Sequence, residues 1–283
     1  MVRAISAGGS GLSETDDDTE AERAMLESVR ARIDAVDAEV LQLIDERAEL
    51  AYTVGEIKHA LGEGVRDRLA IRPAREAQLL RALLKQKRRA SGPDVVVRIW
   101  RELIGESLRI QGAFNLTVWG GSNPGRTVEL ARLRFGVAPE LTIERDAESA
   151  LAAAKRPGRV AVLALETGSR WWGRLLAEPR LSIFAALPCL SLWGPLGAFA
   201  VGDVLVEPSG MDETYWVTDA SGPAAKVEAA LAIEGIAARL IQEAGGLKLF
   251  GLPGYFQRDD ERLARAPGRL SGVIGAAPAP LDL

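Results

Sequence analysis

The chain has 283 residues, room for two modest domains, and its 47% hydrophobic and 26% charged content excludes a wholly disordered polypeptide. Its net charge of -4 sits in the first 20 residues, where one Arg faces five acids, so no segment is basic enough for a nucleic-acid footprint. No apolar run approaches the roughly 20 residues that span a bilayer, and a single cysteine, Cys189, excludes an intrachain disulfide.

In chain order, residues 1–20 are small, flexible and acidic, and are expected to form a disordered tail. From Leu26 the apolar positions Val29, Ile33, Val36, Val40, Leu43, Leu50, Val54, Ile57 and Leu61 step by three and four, with Arg47 in the same seam. This predicts one helix of about 40 residues, ~60 Å long, which needs an intertwined dimer or a bundle to cover it. Gly62 and Gly64 break the pattern; a second helix is predicted from Pro73 to Arg89 and a third from Asp94 to Gln111. Twelve of the 14 prolines and five of the six tryptophans follow residue 112, which marks a domain boundary near Gly112-Ala113.

Beyond it, Leu116 to Trp119 reads as a strand, residues 120–125 as a glycine turn and Thr127 to Arg134 as a helix. Glu148 to Lys155 reads as a short helix and Val160 to Leu165 as a buried strand. An Ala-rich helix is predicted from Ala224 to about Glu243, then strands at Leu247 to Phe250 and Leu270 to Ile274. The fold class is therefore multidomain: a helical domain over 21–112, a reduced α/β domain over 113–220 and a last helix-containing segment over 221–283.

With one histidine, His59, and one cysteine, a His/Cys metal site or a Ser-His-Asp triad is not expected, nor is any cofactor. Chemistry must run on Arg, Lys, carboxylates, amides and hydroxyls. The long helix carries cations at or beside its seam: Arg47 within it, and Arg30 and Lys58 in the adjacent heptad column. Each would cost several kcal/mol to bury without an anion. Arg47 and Lys58 are 11 residues apart, ~16 Å along the axis and about 20° off one face, a gap sized for a small carboxylic acid. Arg30, ~42 Å from Lys58, reaches that gap only from a symmetry mate. Ser107 and Gln111 share a face of the third helix with Trp100 and Ile104, and the second helix opens with Arg75-Glu76. Taken singly, a seam Arg is more often an intersubunit ion pair, and Ser107 can bond back to the carbonyl four residues earlier.

This constellation resembles the all-helical (type II) chorismate mutases. The signatures are Arg30-Ala31-Arg32-Ile33-Asp34, Ile44-Asp45-Glu46-Arg47, Val54-Gly55-Glu56-Ile57-Lys58, Arg72-Pro73-Ala74-Arg75-Glu76 and Glu106-Ser107-Leu108-Arg109-Ile110-Gln111. The resemblance implies that Arg47 and the partner chain's Arg30 bind the carboxylates of chorismate, with Ser107 assisting. It implies that Lys58 and Gln111 hold the ether oxygen, that Glu76 takes the ring hydroxyl and that Arg75 supports Lys58 and Glu76. Arg72 departs from the acid that some members carry, and residues 66–70 look inserted. A homodimer acting on chorismate and prephenate in the cytoplasm, with no nucleic acid, membrane or cofactor partner, is the expectation that goes with it.

The remainder resembles prephenate dehydratase domains, in Trp119-Gly120-Gly121, in Leu163-Ala164-Leu165-Glu166-Thr167-Gly168 and in Thr214-Tyr215-Trp216. Thr167 stands for that family's Asn and Tyr215 for its essential Arg, which implies a degenerate, noncatalytic companion, with an ACT-like remnant in the tail. The alternatives are an active bifunctional enzyme, or a helical dimer whose α/β part senses an aromatic metabolite. Lys85 to Arg89 is expected to complement its helix C-terminus, Trp171-Trp172 to lie in a core or interface, and His59 to be exposed.

Overall fold

A computed structural model describes residues 13–61 and 69–282. Helix α1 spans Ser13–Ala60, 48 residues and about 72 Å. It thus extends back through residues 13–20, which the acidic composition assigns to a disordered tail; residues 1–12 lie outside the described part, as do Gly62, Gly64 and residues 66–68 of the inserted stretch. Along α1 the seam is laid open: Leu26, Val29, Ile33, Val40, Leu43 and Leu50 are 46–64% exposed. The chain divides into two compact units between Leu50 and Ala51.

Within the second unit, α2 (Pro73–Lys85) and α3 (Pro93–Gln111) each start on proline, whose fixed φ suits the first helical turn. The earlier end of α2, at Lys85 rather than Arg89, has a visible cause. Gln86 turns extended, and Arg88 folds back to donate to the carbonyls of Leu83 and Leu84 at 3.2 and 2.9 Å, which caps the helix.

A nine-stranded mixed sheet follows. Its strands are β1 (Asn115–Trp119), β2 (Glu140–Ile143), β3 (Arg159–Ala164), β4 (Ser182–Leu187), β5 (Ala198–Gly202), β6 (Asp212–Thr218), β7 (Arg239–Ala244), β8 (Leu247–Pro253) and β9 (Ser271–Pro278), in spatial order β2-β1-β3-β5-β4-β9-β6-β8-β7. Helices α4 (Pro124–Phe135) and α5 (Ala147–Ala154) cross over the parallel β1, β2 and β3; α6 (Ala224–Ile233) and the short α7 (Glu261–Ala264) complete the set. Because β9 lies between β4 and β6, residues 221–282 complete the same sheet, and no separate tail module is present among the described residues.

The Ala-rich helix stops at Ile233, ten residues short of the expected end. Gly235 takes φ +72°, a left-handed stop that leads into β7, and Gly245-Gly246, at φ +57° and +79°, form the two-residue turn to β8. Trp171 and Trp172 lie in the core and His59 is exposed, as expected.

Gly112-Ala113 is where helix gives way to strand, as the composition shift implies, yet packing does not divide there. Ile71, Ile104 and Leu108 share one apolar core with Leu116, Leu130, Phe135, Val160 and Phe184, and Leu80 and Val97 meet Leu190 and Leu281. At the α3–α4 crossing, a Cβ on Gly105 would overlap the carbonyl oxygen of Phe135. Gly105→Ala is therefore expected to cost about 1–3 kcal/mol, despite the better helix propensity of Ala, and to lower Tm by roughly 3 °C or more. A thermal melt equal to that of the unaltered protein would contradict this packing.

Candidate active site

The last turns of α1, from Ala51 to Ala60, carry Lys58 against the end of α3. Lys58 Nζ donates to Gln111 Oε1 at 3.0 Å in a part-buried contact. Gly55 lets the two helices meet, since a Cβ there would already touch Gln111 Cα at 3.4 Å. An ammonium can only donate, so it fixes the Gln111 amide with its oxygen toward Lys58 and leaves the NH2 group as a donor for another acceptor. One turn earlier on the same face, half-buried Ser107 donates to Leu103 O at 2.7 Å, the local back-bond that its helical position allows. Lys58 and Gln111 thus bring an ammonium and an amide together, a pair fitted to stabilise oxygen-centred negative charge, while the Ser107 proton is committed to Leu103 O.

The first unit holds the two other candidate cations, Arg47 and Arg30. Arg47 is half-buried, and that burial lowers the pKa of its guanidinium from the usual value. Arg30 lies in solvent, its side chain 61% exposed, and pairs with Glu27 at 2.8 Å one turn away.

Glu76, implied as the ligand of the ring hydroxyl, lies in a buried ion-pair cluster. It is 7% exposed, and its Oε2 accepts from Arg101 Nη1 at 2.9 Å and from Arg134 Nη2 at 2.6 Å, tying α2 to α3 and α4. Desolvation, followed by the like charge of Arg101, lowers the pKa of the Arg134 guanidinium. Arg75, about 100° round the helix from Glu76, is exposed. Arg72, the departure from the family pattern, pairs with Glu207 through Nε and Nη2 at 3.1 and 2.9 Å. The reading of the residues missed Arg101 and Arg134. Arg101 had a signal, because it recurs with Ile104, Gly105 and Leu108 at helical spacing on a second buried face of α3. Arg134, in the last turn of α4, carries no sequence cue that pairs it with Glu76.

On the sheet, Tyr215 is fully buried and its hydroxyl donates to Glu213 Oε2 at 3.2 Å. Desolvation and the neighbouring Glu213 charge raise its pKa well above the ordinary phenol value. Thr214 is fixed by Gly254 O and Phe256 N. Ser122 N, in the glycine turn, donates to Glu166 Oε1 at 3.0 Å, which joins the ends of β1 and β3. Beside them opens a cavity of about 470 Å³ lined by Thr167, Gly168, Leu196, Arg239, Ile241 and Gln242. Its cation is Arg239, bound to Glu213 Oε1 at 2.8 Å. Arg239 was hidden by reading this stretch as helix.

Residues 29–112 match the family model for chorismate mutase type II. Proteins named bifunctional chorismate mutase/prephenate dehydratase are similar over the same part of the chain. That of Neisseria gonorrhoeae is 33% identical over 91 residues, 32% of this chain and 23% of the relative. That of Pseudomonas aeruginosa is 32% identical over 101 residues, 35% of this chain and 27% of the relative. The chain thus spans about a quarter of the length of these curated relatives. A solved structure titled "GqqA- a novel type of quorum quenching acylases" is similar at 14% identity and a TM-score of 0.39, over 58% of this chain and 95% of that one.

Removing the Glu76 carboxylate would leave two buried guanidinium groups facing each other. Glu76→Ala is expected to lose about 3–5 kcal/mol in urea unfolding, against at most about 0.5 kcal/mol for exposed Arg75→Ala. Equal losses would show that the buried ion pairs do not hold α2 in place.

Proposed function

We propose that this chain, which carries a chorismate mutase type II domain over residues 29–112, catalyses the rearrangement of chorismate to prephenate. The observation that carries the reading is the contact of Lys58 Nζ with Gln111 Oε1, because it brings two donor-bearing side chains together at the α1–α3 junction. The rearrangement is an intramolecular pericyclic shift. It breaks a C–O bond and forms a C–C bond within one molecule, and it needs no nucleophile, base or cofactor. What it demands is a frozen reactive conformer and stabilisation of negative charge growing on the ether oxygen. In this reading Lys58 and Gln111 supply that stabilisation, and Arg47 and the partner's Arg30 bind the carboxylates with Ser107 assisting. Glu76, already held by Arg101 and Arg134, and exposed Arg75 take no part in binding; Glu76 anchors the helix instead.

The open seam of α1 supports the homodimer, since an apolar stripe of this length in water calls for cover. A second copy laid antiparallel would bring Arg30 of one chain toward Lys58 of the other. The sheet domain is noncatalytic in this reading: Tyr215, where dehydratases carry Arg, is buried and offers no cation. The competing reading is an active dehydratase, favoured by Arg239 and Thr167 at one cavity.

Purified protein is expected to consume chorismate and accumulate prephenate, with no phenylpyruvate at neutral pH. Enzyme-dependent phenylpyruvate would establish the bifunctional reading, and unconsumed chorismate would end the mutase one. Gln111→Glu gives a sharper test. A carboxyl donates only when protonated, an unperturbed Glu titrates near 4.3, and Lys58 beside it would favour the carboxylate. The variant is expected to lose about a hundredfold to a thousandfold in turnover at pH 7.5 and to recover on acidification, while the unaltered enzyme stays flat from about pH 5.5 to 8.5. Parallel profiles would remove Gln111 from contact with the reacting oxygen.

A further inference from the structure

The ion pairs at Glu76 do not balance. One carboxylate serves two guanidinium groups, so the cluster carries one positive charge in excess, and Arg101 and Arg134 are only 5% and 3% exposed. Among the described residues, Arg101 Nε and Arg134 Nη1 are buried without a hydrogen-bond partner. Both arginines line a small cavity between α2, α3, α4 and the end of β4, together with Ala77, Leu80, Phe184 and Cys189. Its free space, about 20 Å³, suits one guest the size of a water molecule and excludes a carboxylic acid or phosphate.

Apart from Cys189, whose thiol in its charged form would favour the Arg134 cation, the groups around the cavity do not offset the excess charge. Pro73, Ala77 and Leu80 from α2, Phe184 to Ala186 from β4 and its edge, and Pro278, Ala279 and Leu281 from the chain end bring no charged side chain. On α3, exposed Glu102 is taken by the backbone N of Val137 at 2.9 Å. The last carbonyls of α4 and the ring of Phe135, 4.8 Å below the Arg134 guanidinium, offer partial negative charge and no full one. An unbalanced buried charge costs several kcal/mol. A neutral water would satisfy donors and leave the charge in place; a monatomic anion does both.

We propose that this cavity is a binding site for a small monovalent anion of the halide class, held by Arg101 Nε and Arg134 Nη1. It is separate from the proposed substrate site, because Lys58, Ser107 and Gln111 are not among the residues that line it, and Arg101 sits about 80–120° round α3 from Ser107 and Gln111. The Cys189 thiol lines the same cavity and can add a weak S–H donor.

Thermal unfolding of the full-length protein in sodium chloride and in sodium gluconate at equal ionic strength tests the site. Chloride is expected to raise Tm along a saturating curve, by roughly 3 °C at ten times its dissociation constant. Arg134→Met, which leaves Glu76 and Arg101 paired one to one, is expected to melt alike in both salts. Crystals grown in sodium bromide are expected to show an anomalous peak in the cavity beside both arginines, a readout that stands even where the variant fails to fold. Identical melting of the unaltered protein in the two salts, a chloride response retained by Arg134→Met, or a bromide map with no peak in the cavity would each overturn the proposal.

Discussion

A carboxylate buried between two arginines is the point on which the arrangement turns. Glu76 brings α2, α3 and α4 to one place, and the apolar contacts of Ile71, Leu80, Ile104 and Leu108 with the sheet close round it. Buried ion pairs contribute little net stability, because desolvation cancels most of their attraction, but breaking one is costly, so they fix which arrangement forms. Here the consequence lies one helix face away. Arg101, Ile104, Gly105 and Leu108 seat α3 on the sheet domain, and that seating decides how Trp100, Ser107 and Gln111 are presented.

The sheet domain therefore has a structural role: it orients α3, one wall of the proposed mutase site. Arg134 and the carbonyl of Phe135, both from α4, reach Glu76 and Gly105 in the helical region. The division of packing at Leu50, rather than at the change of composition near residue 112, expresses the same fact. The chemistry proposed for Lys58 and Gln111 needs only donors in fixed positions, which a seated helix provides without histidine or metal.

What was legible in the sequence follows from how local each signal is. The three-and-four spacing of α1 and the apolar runs of β1 and β3 are short-range patterns; the structure contains both strands within one residue of the expected bounds, and α1 with an earlier start, at Ser13. Lys58 and Gln111, singled out in the sequence as polar residues beside apolar helix faces, are in contact in the structure. The Ala-rich stretch misled, because composition carried the helix beyond Gly235 into β7, although Gly245-Gly246 marks a hairpin. Strands β4, β5 and β6 rest on long-range pairing in a mixed sheet, and the place of β9 between β4 and β6 has no local trace. The ion pair of Glu76 with Arg134 left no local trace either, because the two lie 58 residues apart in different elements.

The central claim is that Lys58 acts in a site completed by Arg30 from a second copy, and mixing inactive variants measures it most directly. Arg30→Ala and Lys58→Ala should each be nearly inactive toward chorismate, since each removes a charge from every site in its own homodimer. In a mixed dimer, one of the two sites would carry both substitutions and the other neither, so heterodimers should regain about half of the native turnover per dimer. Heterodimers that form and show no recovery would contradict an Arg30 that works across the interface.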